Sequence, residues 1–301
     1  MTLVESFLNS GPASQLALLL SRVTPEAAGY HLADWISRIF ASLRNSPPVR
    51  AVRANQWIVS GRRYTTAELD HVARETFRLS GYALYDFYHN LNRPQEILRR
   101  VEFSPNMQAI LARSLEGREG TLFVLPHMGN FDMAGRSLAL RGVRFQVLSY
   151  PRPPGGYRIQ NRVRSFNGIE VTPMSITSMR EALQRLMNGG TVMTGVDRPL
   201  PEGNYRPRFF GIPTGLPVAY IRMAIKAAIP IFVGAVIKKP SGDYLLDASP
   251  PIPMKSYPDL KMEMEQNAET VLEIVEELIL RAPQQWAMYY PVWPEAFQDM
   301  P

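Results

Sequence analysis

The chain has 301 residues, which at the usual ~100–200 residues per domain allows one large domain or two modest ones around a real hydrophobic core. Hydrophobic residues at 46% and charged ones at 20% exclude wholesale disorder, and the absence of cysteine excludes disulfides, thiolate zinc sites and a cysteine nucleophile. The net charge of +6 is unevenly spread: Arg144 to Arg208 holds ten arginines, no lysine and four acids, so that segment carries the whole surplus.

At the start of the chain, Met1–Ser10 contains Glu5 and no Lys or Arg, which does not suit the basic opening of a secretory signal. The apolar run Leu16–Leu20 falls far short of the ~20 residues that cross a bilayer. Leu3, Val4, Phe7 and Leu8, then Leu16, Leu19, Leu20 and Val23, recur at helical spacing. Such a stripe suits a helix lying on a membrane. It suits equally one packed on the protein's own core, the commoner arrangement.

Residues 1–118 read as helical. From Thr66 to His89, Leu69, Val72, Ala73, Thr76, Phe77, Ser80, Leu84, Phe87 and Tyr88 follow the i, i+3, i+4, i+7 spacing of one buried helix face. Thr65 or Thr66 with Glu68 supplies a start close to a capping box. A further helix is expected over Pro105–Leu115.

After Gly120 short apolar runs take over, at Thr121–Pro126, Val143–Tyr150, Val192–Val196, Ile229–Ile237 and Tyr244–Asp247. Helical stretches fall between several of them, at Asp132–Leu140, Ser178–Met187 and Val218–Ala228, and a final helix is expected over Asp259–Arg281 with Leu260, Met264, Ala268, Val271, Leu272, Val275, Leu278 and Ile279 on one stripe. The alternation predicts an α/β fold with a mostly parallel central sheet flanked by helices. The chain thus divides into a helical N-terminal region, 1–118, and an α/β core, 119–301, read as one continuous domain. The loops Pro151–Gly156 and Pro199–Pro207 each follow a strand, where ligands bind in such sheets.

His31, His71 and His89 fall in the helical part, as surface or core-edge residues. His127 is different: it follows the strand Thr121–Leu125 and Pro126 and precedes the helix that begins near Phe131. An imidazole at the carboxyl end of a strand and the mouth of a helix stands where α/β enzymes do chemistry. Asp132 lies five residues on. In a continuous helix the two would be ~140° apart, but a turn at Gly129 lets Asp132 point back and hold one imidazole nitrogen, leaving the other as a general base. The same residues also suit a structural part, with Asn130 as N-cap and Asp132 complementing the helix dipole.

His127-Met128-Gly129-Asn130-Phe131-Asp132 resembles the His-x4-Asp/Glu motif of the glycerolipid acyltransferase superfamily, and its filling resembles the branch of lipid A lauroyl/myristoyl acyltransferases and phosphatidylinositol mannoside acyltransferases. Val196-Asp197-Arg198-Pro199 followed by Phe209-Phe210-Gly211-Ile212-Pro213 is similar to a second block of that branch, Asn161-Arg162-Val163-Arg164 to a third and Ile229–Val233 to a fourth, so the resemblance covers roughly residues 50–295. His-x4-Asp alone is a weak signal; the combination is a strong one.

The resemblance implies a glycerol-3-phosphate acyltransferase-like fold. It also implies transfer of a fatty acyl group from acyl-CoA or acyl carrier protein to a glycolipid hydroxyl, with His127 as base and either Asp132 or Asp197 as its carboxylate partner. Gly129, Asn130, Arg164, Arg198, Phe210 and Gly211 are the expected substrate-binding positions; backbone N–H groups at Gly129, or Arg164 or Arg198, are candidate oxyanion donors, and the arginines also suit phosphates. Beyond the thioester co-substrate no cofactor is expected. The lipid A enzymes usually begin with a spanning helix, which this sequence does not offer. A monomer resting on the cytoplasmic face of the bacterial inner membrane is therefore expected, held by its N-terminal helices and basic surface.

Other classes fit less well. There is no Gly-x-Ser-x-Gly elbow for a serine hydrolase, leaving direct attack by water on a lipid or thioester. A non-catalytic binder of anionic membrane fits the charge, whereas nucleic-acid binding lacks basic residues interleaved with aromatics or a reading helix. Four scattered histidines offer no metal-ligand spacing, and neither phosphate-loop fingerprint is present.

Overall fold

The computed structural model describes residues 18–151, 155–165, 168–200 and 202–301, with side chains in the second stretch from Ile159 onward. The predicted stripe at Leu3, Val4, Phe7, Leu8 and Leu16, residues 152–154 of the first predicted loop and the side chain of Arg158 lie outside the described residues.

The helical part comprises α1 (Glu26–Ser42), α2 (Pro47–Val59), α3 (Thr66–Asn90), α4 (Pro94–Arg100) and α5 (Pro105–Glu116). α3 starts where the sequence places it. Thr65 Oγ1 accepts the Glu68 backbone N–H, and Glu68 Oε2 accepts that of Thr65 at 2.7 Å, a complete capping box. Its predicted inner face is buried at Leu69, Val72, Ala73, Thr76, Phe87 and Tyr88, but Leu84 is exposed. Residues 18–23 are helical, with Leu19, Leu20 and Val23 exposed, so this stretch of the predicted stripe does not face the core.

One element breaks the helical run. Val101–Phe103 forms β1, which pairs in parallel with β9, so the N-terminal region lends an edge strand to the sheet. A three-residue strand is too short to show an alternation in sequence.

The core follows as β2 (Thr121–Leu125), α6 (Phe131–Leu140), β3 (Phe145–Ser149), α7 (Gly155–Arg164), β4 (Ile169–Pro173), α8 (Ile176–Met187), β5 (Thr191–Gly195), the hairpin β6 (Arg208–Phe209) and β7 (Ile212–Pro213), α9 (Ala219–Ala227), β8 (Ile231–Lys238), β9 (Tyr244–Ala248), α10 (Leu260–Arg281) and α11 (Ala296–Asp299). The seven-stranded sheet runs β1-β9-β8-β2-β5-β3-β4. Neighbours pair in parallel except β8 with β9.

Alternation along β2 divides the core. Leu122 and Val124 face a cluster built with α2, α8, α9 and α10, while Phe123 faces one built with α4, α5 and α6. α10 buries its predicted stripe from Met264 to Ile279; Leu260 at its first turn is exposed. The chain leaves β2 for β3 on one side and returns through β5 to sit between them, so the carboxyl ends of β2 and β5 are neighbours at the sheet's crossover point. Among the described residues no helix is long and apolar enough to cross a membrane.

Candidate active site

His127 and Asp197 lie just past the carboxyl ends of β2 and β5, strands paired in register from Thr121–Thr191 to Leu125–Gly195. That register closes the 70-residue gap between them: His127 Nδ1 and Asp197 Oδ1 are 2.6 Å apart, and the His127 backbone N–H donates to Asp197 Oδ2 at 2.7 Å. Trp286 Nε1 donates to the same Oδ2 at 2.7 Å. Asp197 is fully buried. Burial pushes its carboxyl up, but the His127 charge, the bonds from the His127 ring and the Trp286 indole and the His127 backbone N–H together outweigh that, and its pKa lies below the usual carboxylate value. An ionised carboxylate on Nδ1 fixes the imidazole as the tautomer whose Nε2 carries the lone pair.

The loop around His127 is strapped from the far end of the chain. The Ala287 N–H donates to the His127 carbonyl at 2.8 Å and the Gly129 N–H to the Gln285 carbonyl at 3.0 Å. Gln285 in turn bonds the backbone of Lys238 in both directions, at 2.7 and 3.0 Å. Gly129 has φ +60°, and a Cβ there would lie 1.9 Å from the Val236 carbonyl oxygen, so this turn requires glycine. The Gly129 N–H expected as an oxyanion donor is therefore already bonded to Gln285.

Asp132 does not hold the imidazole. It sits in the first turn of α6, and its carboxylate takes Arg164 in a fork, Nε to Oδ1 at 2.6 Å and Nη2 to Oδ2 at 3.1 Å. The expectation that it points back at His127 is corrected: the turn at Gly129 carries the chain into α6, and α7 brings a guanidinium to the acid. The same guanidinium covers the Phe131 ring at 5.4 Å, and that ring stands edge-on to His127 at 5.7 Å. Asn130 follows its structural reading. It is buried, its Oδ1 caps α6 by accepting the Met133 N–H at 3.1 Å, and its Nδ2 donates to the Ala83 carbonyl at 2.9 Å.

His127 opens onto an apolar tunnel that runs between α6 and the sheet. Phe131, Ala134, Gly135 and Leu138 line it from the helix, and Phe123, Phe145, Val147 and Met193 from the strands. Arg164 and Arg198 also line it, with Tyr150. The Arg198 guanidinium lies 3.8 Å from the Tyr150 ring centre and 4.2 Å from that of Tyr290.

Phe210 and Gly211 are outside the tunnel lining. They are the two-residue turn of the β6–β7 hairpin, both with positive φ (50° and 73°), the geometry that matches strand twist in such hairpins. Phe209 stacks on Trp293 at 5.4 Å and meets Trp286 edge-on at 6.1 Å, so this block buttresses the indole that bonds Asp197. Sequence reasoning missed Trp286. It lies 89 residues from Asp197, and nothing local in its sequence marks an indole N–H as a partner of that acid. Arg185, within the basic segment, pairs with Glu170 at 2.5 Å. Among the described residues no group of three or more His, Asp or Glu could hold a metal.

The family model described as bacterial lipid A biosynthesis acyltransferase matches residues 13–294. A phosphatidylinositol mannoside acyltransferase of Mycobacterium tuberculosis (strain CDC 1551 / Oshkosh) is 32% identical over 125 residues, 40% of this chain and 38% of that protein. Its namesake in Mycolicibacterium smegmatis is 28% identical over 123 residues, 40% of each chain. The matched segment thus spans well under half of these relatives' length. The crystal structure of the 1-acyl-sn-glycerophosphate (LPA) acyltransferase PlsC from Thermotoga maritima aligns with 79% of this chain and 97% of that one, at 16% identity and a TM-score of 0.36.

Proposed function

The chain belongs to the bacterial lipid A biosynthesis acyltransferase family, and from that premise we propose that it moves a fatty acyl group from an acyl thioester, on CoA or on acyl carrier protein, to a hydroxyl of a membrane glycolipid. The observation that carries this reading is the buried Asp197 on His127 Nδ1 at the mouth of an apolar tunnel.

A sugar hydroxyl is un-ionised at neutral pH and attacks only as its proton leaves. His127 Nε2 takes that proton while the oxygen adds to the thioester carbonyl, and Asp197, still ionised, steadies the imidazolium. The tetrahedral adduct collapses with cleavage of the carbon–sulfur bond, and the imidazolium returns the proton to the departing sulfur. The fatty chain lies in the tunnel, whose wall along α6 and the strands is largely apolar. Arg164 and Arg198 stand where the carbonyl oxygen and the phosphates of donor or acceptor would come. Asp132 contributes by holding Arg164.

The names of the mycobacterial relatives support a mannosylated phosphoinositide as acceptor, and the family name a lipid A-type precursor. A peripheral place on the cytoplasmic leaflet is supported by α1, which exposes Leu32, Trp35, Ile36 and Ile39 on one face, and by the exposure of Leu19, Leu20 and Val23 in the preceding helical stretch. The protein acts as a monomer in this reading.

The test is to incubate purified protein with labelled palmitoyl-CoA and a membrane lipid extract. Label should enter a glycolipid with wild type and not with His127→Ala. No lipid-borne label from wild type, or equal label from the variant, overturns the reading.

A further inference from the structure

A second groove, on the opposite side of the site from α6, is not used by the steps above. It lies between α8 and α9. Ile176, Met179 and Leu183 form one wall, Met223 the other, and Leu216 and Met264 contribute to the apolar lining. Three cations also line it, Arg180 on α8 with Arg222 and Lys226 on α9. Arg222 and Lys226 are one helical turn apart and share a face. Among the described residues lining the groove there is no carboxylate, and none of the three cations is in an ion pair with a described residue. Arg185, on the same helix as Arg180, is by contrast tied to Glu170. The groove adjoins the tunnel, since Met174, Leu200 and Pro217 line both.

We propose that this groove seats the lipid anchor of the acceptor, an anionic phospholipid whose fatty chain lies along the methionine and leucine side chains and whose phosphate is met by Arg180, Arg222 and Lys226. The inference rests on the acyl-transfer reading and adds where the acceptor binds. An apolar trough alone would take any hydrophobe and a cationic rim any anion; the two together select an amphiphile with a negative head. Flexible, polarisable methionine suits chains of varied shape. A nucleotide is the poorer fit, because among the described residues lining the groove only Tyr205 offers an aromatic face, and the apolar trough would stay unfilled. Its position suits the reaction. With the donor's chain in the tunnel, the groove offers a chain of the acceptor apolar cover as its head group reaches His127, and the shared residues put that cover next to the tunnel.

Titration calorimetry with dioctanoyl phosphatidylinositol below its micelle concentration tests this, with dioctanoyl phosphatidylcholine, CoA and inorganic phosphate as comparison probes. Wild type should bind the inositol lipid best. The double variant Arg222→Gln/Lys226→Gln should weaken it at least about tenfold; Leu183→Trp, which fills the trough, should abolish it, and Arg185→Gln should bind as wild type. Equal binding of the inositol lipid by wild type and the double variant overturns the proposal, as does tighter binding of CoA or free phosphate than of the lipid. His127→Ala should still bind the lipid. If that variant instead turns over palmitoyl-CoA as wild type does, the acyl-transfer reading fails while the groove result stands.

Discussion

Asp197 grips His127 twice, with Oδ1 on ring Nδ1 at 2.6 Å and Oδ2 on the backbone N–H at 2.7 Å. One carboxylate therefore sets both the position of the loop and the tautomer of the ring. In Asp197→Asn one oxygen becomes an N–H donor, so either a bond to His127 fails or the ring takes the tautomer in which Nδ1 accepts and Nε2 carries the proton, unable to act as base. We expect kcat to fall about 10³–10⁴-fold, as when the acid of a hydrolase triad is neutralised, with the KM for the thioester little changed. His127→Ala/Asp197→Asn should be no slower than His127→Ala alone, because the acid acts through the ring. Additive losses in steady-state kinetics would give Asp197 a separate role.

The same carboxyl makes stability depend on pH. Its folded pKa lies below the unfolded value of about 3.9, so the ionised form stabilises the fold above that pH, and the contribution is lost as pH falls through the folded value. Urea midpoints of wild type and Asp197→Asn should differ most near neutral pH and converge below about pH 4. A gap that stays constant into that range would separate stability from this group.

Asp132 and Arg164 form a forked pair with both side chains about four-fifths buried. Breaking it with Asp132→Asn should cost about 1–3 kcal/mol of stability. It should also raise the KM for the thioester, since Arg164 lines the tunnel, while lowering kcat less than Asp197→Asn does. Asp132→Asn should add little to Arg164→Gln in a double-mutant cycle followed by urea unfolding and initial rates.

Gly195 ends β5 directly under the imidazole, and a Cβ there would lie 2.9 Å from His127 Cε1. Gly195→Ala must push the ring aside by tenths of an ångström. We expect kcat to drop about 10–100-fold with the thermal midpoint nearly unchanged. A variant as fast as wild type would mean that the ring's position is not demanding.

Gly135 faces the tunnel from α6, and a Cβ there would sit 3.8 Å from Phe145 Cζ, in ordinary contact. Gly135→Ala should therefore be tolerated, whereas the larger side chain of Gly135→Leu enters the tunnel. Activity with palmitoyl thioester should fall by about tenfold or more while octanoyl thioester is still used. Equal losses with both chains would place the fatty chain elsewhere.

The polar cluster around Asp86 shows how little of the support lay open in sequence. Asp86 is fully buried and meets Arg100 Nη1 at 3.1 Å, Lys238 Nζ at 3.0 Å, the Tyr30 hydroxyl at 2.7 Å and the Tyr244 hydroxyl. These residues come from α1, α3, α4, β8 and β9, so the cluster pins the helical layer to the sheet. In sequence each is an unremarkable polar residue. Buried charge is stabilised only by partners that arrive from distant segments.

The sequence by itself determined what depends on local physics. Apolar periodicity drew the central strands and the long helices, Thr65 and Glu68 started α3, Asn130 capped α6, and the glycine after Met128 allowed the turn that sets His127 at a strand end. The motif blocks also carried the family. Tertiary structure alone decided which acid serves the histidine. Asp132 is nearer in sequence, yet α6 carries it to Arg164, and the parallel register of β2 with β5 brings Asp197 across instead. The Trp286 bond, the Arg198 stack between two tyrosines and the groove between α8 and α9 arise the same way. Each joins residues that only strand pairing and helix packing bring together, and spacing along the chain carries no record of such distances.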